Sequence, residues 1–132
     1  MAYAASASKY LEAEVLGRSK EWLVPLLYEH AIASLRRLAI RFDSQDIAAI
    51  AKEQDKVARI IGELLMTLDH EKGGRIASDL ASIYSFVLTE LHGLVRKRNK
   101  GQVERMARML ESLHDAWVQA AEEVAPRRAR AS

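Results

Sequence analysis

The sequence predicts an all-α protein, an antiparallel four-helix bundle with a short N-terminal helical segment. Three observations lead to this fold class. Apolar residues recur at spacings of three and four along most of the 132 residues, the period of helices with one buried face. Runs that alternate between apolar and polar residues, which would predict strands, are absent. The only prolines stand at positions 25 and 126, so the long segments between them can stay helical.

The first predicted helix spans residues 19–42, with Ser19 as its N-cap. Pro25 favours two alternatives, a start near Val24 with the proline as first helical residue, or a kink. The apolar face of this helix is wide, reaching from Leu23 round to Ile32. It consists chiefly of Leu23, Leu27, Tyr28, Ala31, Leu35, Leu38 and Phe42.

The second predicted helix spans residues 45–68, and Ser44 is its expected N-cap. Gln54 is the polar interruption of an apolar seam made of Ile47, Ile50, Val57, Ile61, Leu64 and Leu68. Gly73 or Gly74 is expected to adopt the left-handed conformation that ends this helix, because glycine has no Cβ to clash there.

The third predicted helix spans residues 75–95 and is unusually apolar. Its apolar residues cover roughly 160° of a helical wheel, against about 100° for an ordinary core stripe, and Phe86 lies outside even that arc. The arc consists of Ile76, Ala77, Leu80, Ala81, Ile83, Tyr84, Val87, Leu88, Leu91, Leu94 and Val95. Two interpretations stay open: the helix is more deeply buried than usual, or part of its surface receives another chain.

The fourth predicted helix spans residues 102–124, after a turn at residues 98–101. Its seam is the most regular and consists of Val103, Met106, Leu110, Leu113, Trp117, Ala121 and Val124. Because the connections are short, neighbouring helices should be antiparallel. We therefore divide the chain into a mobile amphipathic N-terminal cap at residues 1–18, a bundle at 19–124 and a disordered basic tail at 125–132.

Composition excludes several classes of protein. The chain has no cysteine for disulfides or thiolate metal sites, and its net charge of +2 does not indicate nucleic-acid binding. No signal peptide or segment of about 20 apolar residues is apparent, so we expect a cytoplasmic protein without membrane insertion. Glu111 and His114 form a single Glu-x-x-His motif, whereas a di-iron site needs two. With no phosphate-binding loop or nucleophile motif either, we expect no enzyme, no catalytic residue, no metal and no cofactor.

Five groups of residues, in order and spacing, resemble the FliS family, the export chaperones for flagellin in bacterial flagella. The resemblance extends from Tyr10 to about Ala121. The groups are Tyr10, Val15 and Ser19; residues 21–24 with 26–28 and 31–32; residues 60–64 with 68–69; residues 73–77 with 80 and 83–84; and residues 115–117 with 120. Departures from the family pattern are Lys20 where proline is common, the interior Pro25, His30 where glycine is common, Arg75 where an acidic residue is common, and Thr89 and Glu90 in place of a basic pair.

The resemblance implies a bundle that binds the disordered C-terminal segment of flagellin in apolar grooves, where the segment folds into helices. Such binding would prevent premature polymerisation and aid export, with export-gate components as further partners. Tyr10 and Val15 would cover the groove, and its border would be formed by Ile60, Leu64, Leu68, Tyr84 and Leu88. Trp117 is expected to fill the core beneath. On this assignment, Leu64→Asp should weaken guest binding more than it weakens the fold.

Two alternatives remain. The surplus apolar surface could make a self-associating structural bundle, a weak homodimer formed by exchange of the N-terminal segment. The chain could also be a chaperone for another secretion client. A homodimer should dissociate on dilution, whereas an empty chaperone groove stays available until a guest is added.

Overall fold

A computed structural model describes the backbone of residues 22–131 and the side chains of residues 22–124. The all-α class and the four helices are confirmed. The N-terminal cap at residues 1–18, with Tyr10 and Val15, lies outside the described residues, as does the expected N-cap Ser19. The helices are α1 (Leu23–Arg41), α2 (Ile47–Met66), α3 (His70–Arg96) and α4 (Lys100–Ala131).

The loops at one end of the bundle show that successive helices run antiparallel. A guanidinium nitrogen of Arg98, in the α3–α4 loop, donates to the carbonyl oxygens of Phe42 and Ser44, in the α1–α2 loop, at 2.8 Å each. Nearby, Lys100 Nζ lies 3.3 Å from Asp43 Oδ2. Because these two loops meet at the same end, the chain runs up and down as the sequence predicts.

Helix α1 occupies the centre of the bundle. It packs along both α2 and α4, and it is buried on most sides. For this helix, the wide apolar face therefore reflects deeper burial. Leu23 is only partly buried, but the other expected core residues of α1 are confirmed. They are Leu27, Tyr28, Ala31, Leu35, Leu38 and Phe42.

Pro25 is accommodated in the first turn of α1. The helix begins at Leu23, with Trp22 at the N-cap, so the proline is the third helical residue and not the first. The first amide groups of a helix have no intrahelical acceptor, so the missing N–H of Pro25 breaks no backbone bond. The expected start of the helix near Val24 is thus nearly correct.

Helix α2 is capped by Asp46, and the expectation of Ser44 as N-cap is wrong. The Asp46 carboxylate accepts from the Ala49 amide at 3.0 Å. The Ser44 hydroxyl instead donates to the Arg41 carbonyl at 2.8 Å and accepts from the Asp46 amide at 3.3 Å. Ile47 was expected in the core seam but is 72% exposed, because it is the first residue of α2 at the end of the bundle.

The buried polar residue of α2 is Glu53, not Gln54. Its side chain is 8% exposed, and one carboxylate oxygen accepts from Arg37 Nε at 2.7 Å and from Arg41 Nε at 3.3 Å. Arg37 also donates to the Ser34 hydroxyl at 3.0 Å. Burial alone would raise the pKa of Glu53, but the two arginines outweigh it and hold the pKa below 4.5. Glu53 therefore ties α2 to α1 in its charged form.

A glycine reorients the chain near the start of α3, although it does not end α2 as predicted. Helix α2 ends at Met66, and Asp69 caps α3 by accepting from the amides of Glu71 and Lys72 at 3.1 and 3.0 Å. After one turn, Gly74 adopts φ 51° and ψ −124°, which kinks the helix. The long straight part of α3 begins beyond this kink, where the sequence predicts it.

The turn between α3 and α4 is a Schellman motif. The Asn99 amide donates to the Leu94 carbonyl at 2.9 Å, and the Arg98 amide donates to the Val95 carbonyl at 3.0 Å. Arg98 takes the position with φ 51° that glycine usually occupies. The Asn99 side chain then caps α4 by accepting from the Gln102 amide at 3.2 Å. Helix α4 is longer than the predicted span of residues 102–124, since it begins at Lys100 and continues to Ala131.

Among the described helices, one side of the bundle is open. Helix α3 packs against α2 but makes few contacts with α4. The inner residues of α3 join the core, whereas Ile76 is 71% and Phe86 52% exposed. The wide apolar face of α3, unlike that of α1, therefore extends onto the surface. Within residues 22–131, no helix is long and apolar enough to cross a membrane.

Candidate functional site

An apolar cleft lies where the end of α2, the start of α3, the first turn of α1 and Trp117 of α4 meet; we call it the Tyr84 cleft. Its volume is about 310 Å³. An open cleft of this size can receive apolar side chains of a bound segment. Its main apolar walls are Val24, Leu64, Leu68, Ile76, Leu80 and Trp117.

The glycine pair shapes one wall of this cleft. A Cβ atom on Gly73 would lie 2.7 Å from the Cβ of Ala77, closer than real Cβ contacts allow. Gly73 therefore lets the first turn of α3 fold down onto Ala77, and the Gly74 kink directs the rest of the helix along α2. After the glycine pair, Ile76 is exposed at the rim of the cleft, whereas Ala77 is buried and lines it.

The floor of the cleft is Tyr84, which contacts the fully buried Tyr28 behind it. The hydroxyl oxygens of Tyr28 and Tyr84 are 2.5 Å apart, and their rings meet edge to face with centroids 6.3 Å apart. The Trp117 ring lies 6.5 Å from that of Tyr28. Burial raises the pKa of both tyrosines above the usual value of 10, so both stay neutral at physiological pH. A neutral, rigid and largely apolar floor favours apolar guests over charged ones.

The rim adds little charge. Asp69 and Lys72 both line the cleft, and one carboxylate oxygen of Asp69 is occupied by capping α3. Opposite formal charges therefore lie near each other at the same edge. The arrangement can bind apolar side chains.

The structure brings together three of the residues proposed from the sequence. Leu64, Leu68 and Tyr84 all line the Tyr84 cleft. Ile60 is 5% exposed in the core, and Leu88 is partly buried against the core, so neither lines this cleft. Leu64 is itself only 3% exposed. A charge there would damage the core, and Leu64→Asp cannot separate binding from folding as the sequence suggested.

Sequence reasoning missed the most exposed apolar residue of the cleft, Ile76. Ile76 belongs to the wide apolar arc of α3, but nothing in that arc distinguished it from its buried neighbours. Trp117, expected in the core, is only partly buried and lines the cleft as well as touching Tyr28. Val24 and Leu80 complete the walls from α1 and α3.

The Glu-x-x-His motif on α4 serves a different purpose. Glu111 forms an ion pair with Arg36 of α1. His114 Nε2 lies 3.2 Å from Glu29 Oε2, and His114 Nδ1 lies 3.3 Å from Asp115 Oδ1. These contacts join α4 to α1 along their outer faces. Within the described side chains, no group of three acidic or histidine residues could hold a metal ion.

Comparison with known proteins yields one family. The model of the family described as flagellar protein FliS matches residues 2–124. The flagellar secretion chaperone FliS of Salmonella typhimurium is 28% identical over 116 residues, which cover 87% of this chain and 86% of the relative. Its counterpart in Campylobacter jejuni is 26% identical over 99 residues, covering 75% and 77% of the two chains. The Escherichia coli protein of the same name is 22% identical over 108 residues, covering 81% and 79%.

The matched region includes all of α1, α2 and α3, and α4 as far as residue 124. It contains the whole of the Tyr84 cleft and the open side of the bundle. Because the family model matches residues 2–124, the chain belongs to the FliS family of flagellar proteins.

Proposed function

We propose that this protein is a cytoplasmic flagellar export chaperone that binds the C-terminal segment of flagellin. The relatives named above are flagellar secretion chaperones, which supports the general role. The observation that carries the specific role is the apolar face of α3 above the Tyr84 cleft, which no helix of residues 22–131 covers and where Ile76 is 71% exposed. An exposed apolar surface beside a preformed cleft is typical of a protein-binding site.

The guest would bind as an amphipathic helix. Its backbone would lie over the cleft, between α3 and the end of α2, with apolar side chains inserted at spacings of three and four residues. A disordered guest loses conformational entropy when it folds, and burial of its apolar face must offset that loss. The apolar walls and neutral floor of the cleft provide such a surface. Bound in this way, flagellin would be held back from polymerisation until export.

Titration calorimetry with the C-terminal segment of flagellin from the same organism tests this function, combined with circular dichroism of the mixture. We expect one-to-one binding and a helical signal larger than the sum of the separate components. Absence of binding by the folded protein would refute flagellin as the guest. Binding of another secreted protein's segment would then identify a different client.

Self-association is the second candidate, because Ile76 and Phe86 could equally be covered by another copy of the chain. Sedimentation velocity over a range of concentrations separates the two functions. A chaperone with an empty cleft should sediment as a monomer until guest is added. A dimer that dissociates in the presence of the flagellin segment would show that both use the same surface.

A further inference from the structure

A second cleft, the Phe86 groove, lies on the open side of the bundle between the later part of α3 and the start of α4. Its volume is about 360 Å³, and it shares no lining residue with the Tyr84 cleft. The apolar part consists of Phe86, Leu94, Met106 and Met109. Phe86 is 52% exposed, whereas Met106 at the bottom is 5% exposed. The groove is therefore a concave apolar surface with an aromatic edge.

The edge of the Phe86 groove carries positive charge. Lys97 and Arg105 line it, and neither forms an ion pair within the described part of the chain. Arg105 Nε donates only to the side-chain oxygen of Gln102, at 3.1 Å. Glu90 is the single acidic residue among those that line the groove. The cations thus remain available to a partner, in contrast to the balanced charges at the Tyr84 cleft.

The backbone of α3 is also accessible here. Gly93 lines the groove, and a Cβ atom at this position would meet no atom of the described residues within 4 Å. A helix-interior glycine with open space above it allows another backbone to approach closely. Gly93 therefore marks the place where a second helix could lie directly against α3.

We propose that the Phe86 groove is a second docking site, which binds an amphipathic helix of a protein partner whose polar face is acidic. The apolar side of that helix would pack on Phe86 and Met109, and its carboxylates would lie near Lys97 and Arg105. Charge complementarity of this kind selects the partner and accelerates association. A flat anionic membrane fits less well, because it cannot reach Met106 at the bottom of the groove.

The two clefts act independently in this proposal. Along α3, the lining residues of the Tyr84 cleft end at Tyr84 and those of the Phe86 groove begin at Phe86, so the two clefts lie on successive parts of the helix. The flagellin segment and the acidic helix could therefore be bound at once. The second site does not depend on flagellin being the guest of the first.

Fluorescence anisotropy with two designed peptides tests the second site. Both are labelled amphipathic helices with leucines at positions i, i+3, i+4 and i+7, and their polar positions carry glutamate in one and lysine in the other. We expect the glutamate peptide to bind the full chain at least about tenfold more tightly, because like charges would oppose the lysine peptide. The double variant Lys97→Glu with Arg105→Glu should reverse this preference.

A pair of glycine variants locates the binding. Gly93→Leu should abolish binding of the glutamate peptide by filling the groove. Gly62→Leu is the matched control, because Gly62 also lies in a helix with open space around a Cβ and lines neither cleft. Circular dichroism melts would establish that both variants are folded. Equal affinity for the two peptides would overturn the proposal, as would unchanged binding by folded Gly93→Leu or a preference for phosphatidylserine vesicles over the glutamate peptide.

Discussion

Replacement of Ile76 by glutamine should weaken guest binding without weakening the fold. Ile76 is 71% exposed at the rim of the Tyr84 cleft, so its side chain contributes little to the core. Glutamine has a similar length and is a good helix former. We therefore expect the free energy of unfolding to change by less than about 0.5 kcal/mol, as for most surface substitutions.

The effect on binding follows from the exposed fraction of this side chain. Full burial of an isoleucine side chain is worth about 1.5 to 3 kcal/mol. A guest that covers the exposed 71% of Ile76 would gain about 1 to 2 kcal/mol from it. Since each 1.4 kcal/mol is tenfold in affinity, the Kd for the flagellin segment should rise by about 5- to 30-fold in Ile76→Gln.

Titration calorimetry of the variant, with thermal unfolding alongside, measures both quantities. Ile47→Gln is the matched control, because Ile47 is 72% exposed on α2 and lines neither cleft. We expect the control to bind the flagellin segment like the parent protein. If Ile76→Gln bound with unchanged Kd, or if Ile47→Gln lost as much affinity, the guest would not lie over the Tyr84 cleft.

Three further predictions concern the bundle itself. Glu53→Gln should lower the free energy of unfolding at neutral pH by about 1 to 3 kcal/mol, since charge-assisted bonds to two arginines are lost. Because the folded pKa of Glu53 is depressed below 4.5, its stabilisation is present above pH 4.5 and is lost as the pH falls through the folded pKa. Urea unfolding at neutral and acidic pH should show a smaller loss on acidification in the variant, and an equal loss would refute this role. Gly74→Ala should lower thermal stability by about 1 to 3 kcal/mol through backbone strain alone, because φ is 51° and no described atom lies within 4 Å of a Cβ there. Arg98→Ala should cost about 2 to 3 kcal/mol in urea unfolding by removing two charge-assisted bonds to carbonyl groups of the α1–α2 loop, and a change below half of that would show that the loops hold together without it.

Periodicity predicted the helices well but not the depth of each residue. The seam of α4 at Val103, Met106 and Leu110 is buried as expected. The same kind of pattern gave α1 and α3 equally wide apolar faces, yet α1 is surrounded by neighbours and α3 is open toward α4. Depth depends on which helices pack against each other, and that information lies in contacts between distant segments. This is why Tyr84 proved buried and Ile76 exposed.

Helix ends and polar contacts in the core were the least predictable features. Ser44 and Asp46 are both good N-caps, and only the geometry of the α1–α2 loop decides between them. Glu53 and Gln54 are adjacent, but only Glu53 faces Arg37 and Arg41 across the α1–α2 interface. Leu64, Leu68 and Tyr84 line one cleft because they flank the connection between α2 and α3, and their role in guest binding stays a prediction. Trp117 packs against the core as expected, but it is only partly buried and also lines the cleft, a detail that depends on the distant pairing of α4 with α1.

The central position of α1 has a consequence for synthesis of the chain. Its two packing partners are α2, which follows at once, and α4, which is made last. Roughly 60 residues separate the end of α1 from the start of α4, so at about 5 to 20 residues per second the ribosome needs roughly 3 to 12 seconds to supply the second partner. During that interval the face of α1 that meets α4 is unprotected. Until α4 has been synthesised, the nascent chain therefore exposes apolar surface of α1 that the folded protein buries.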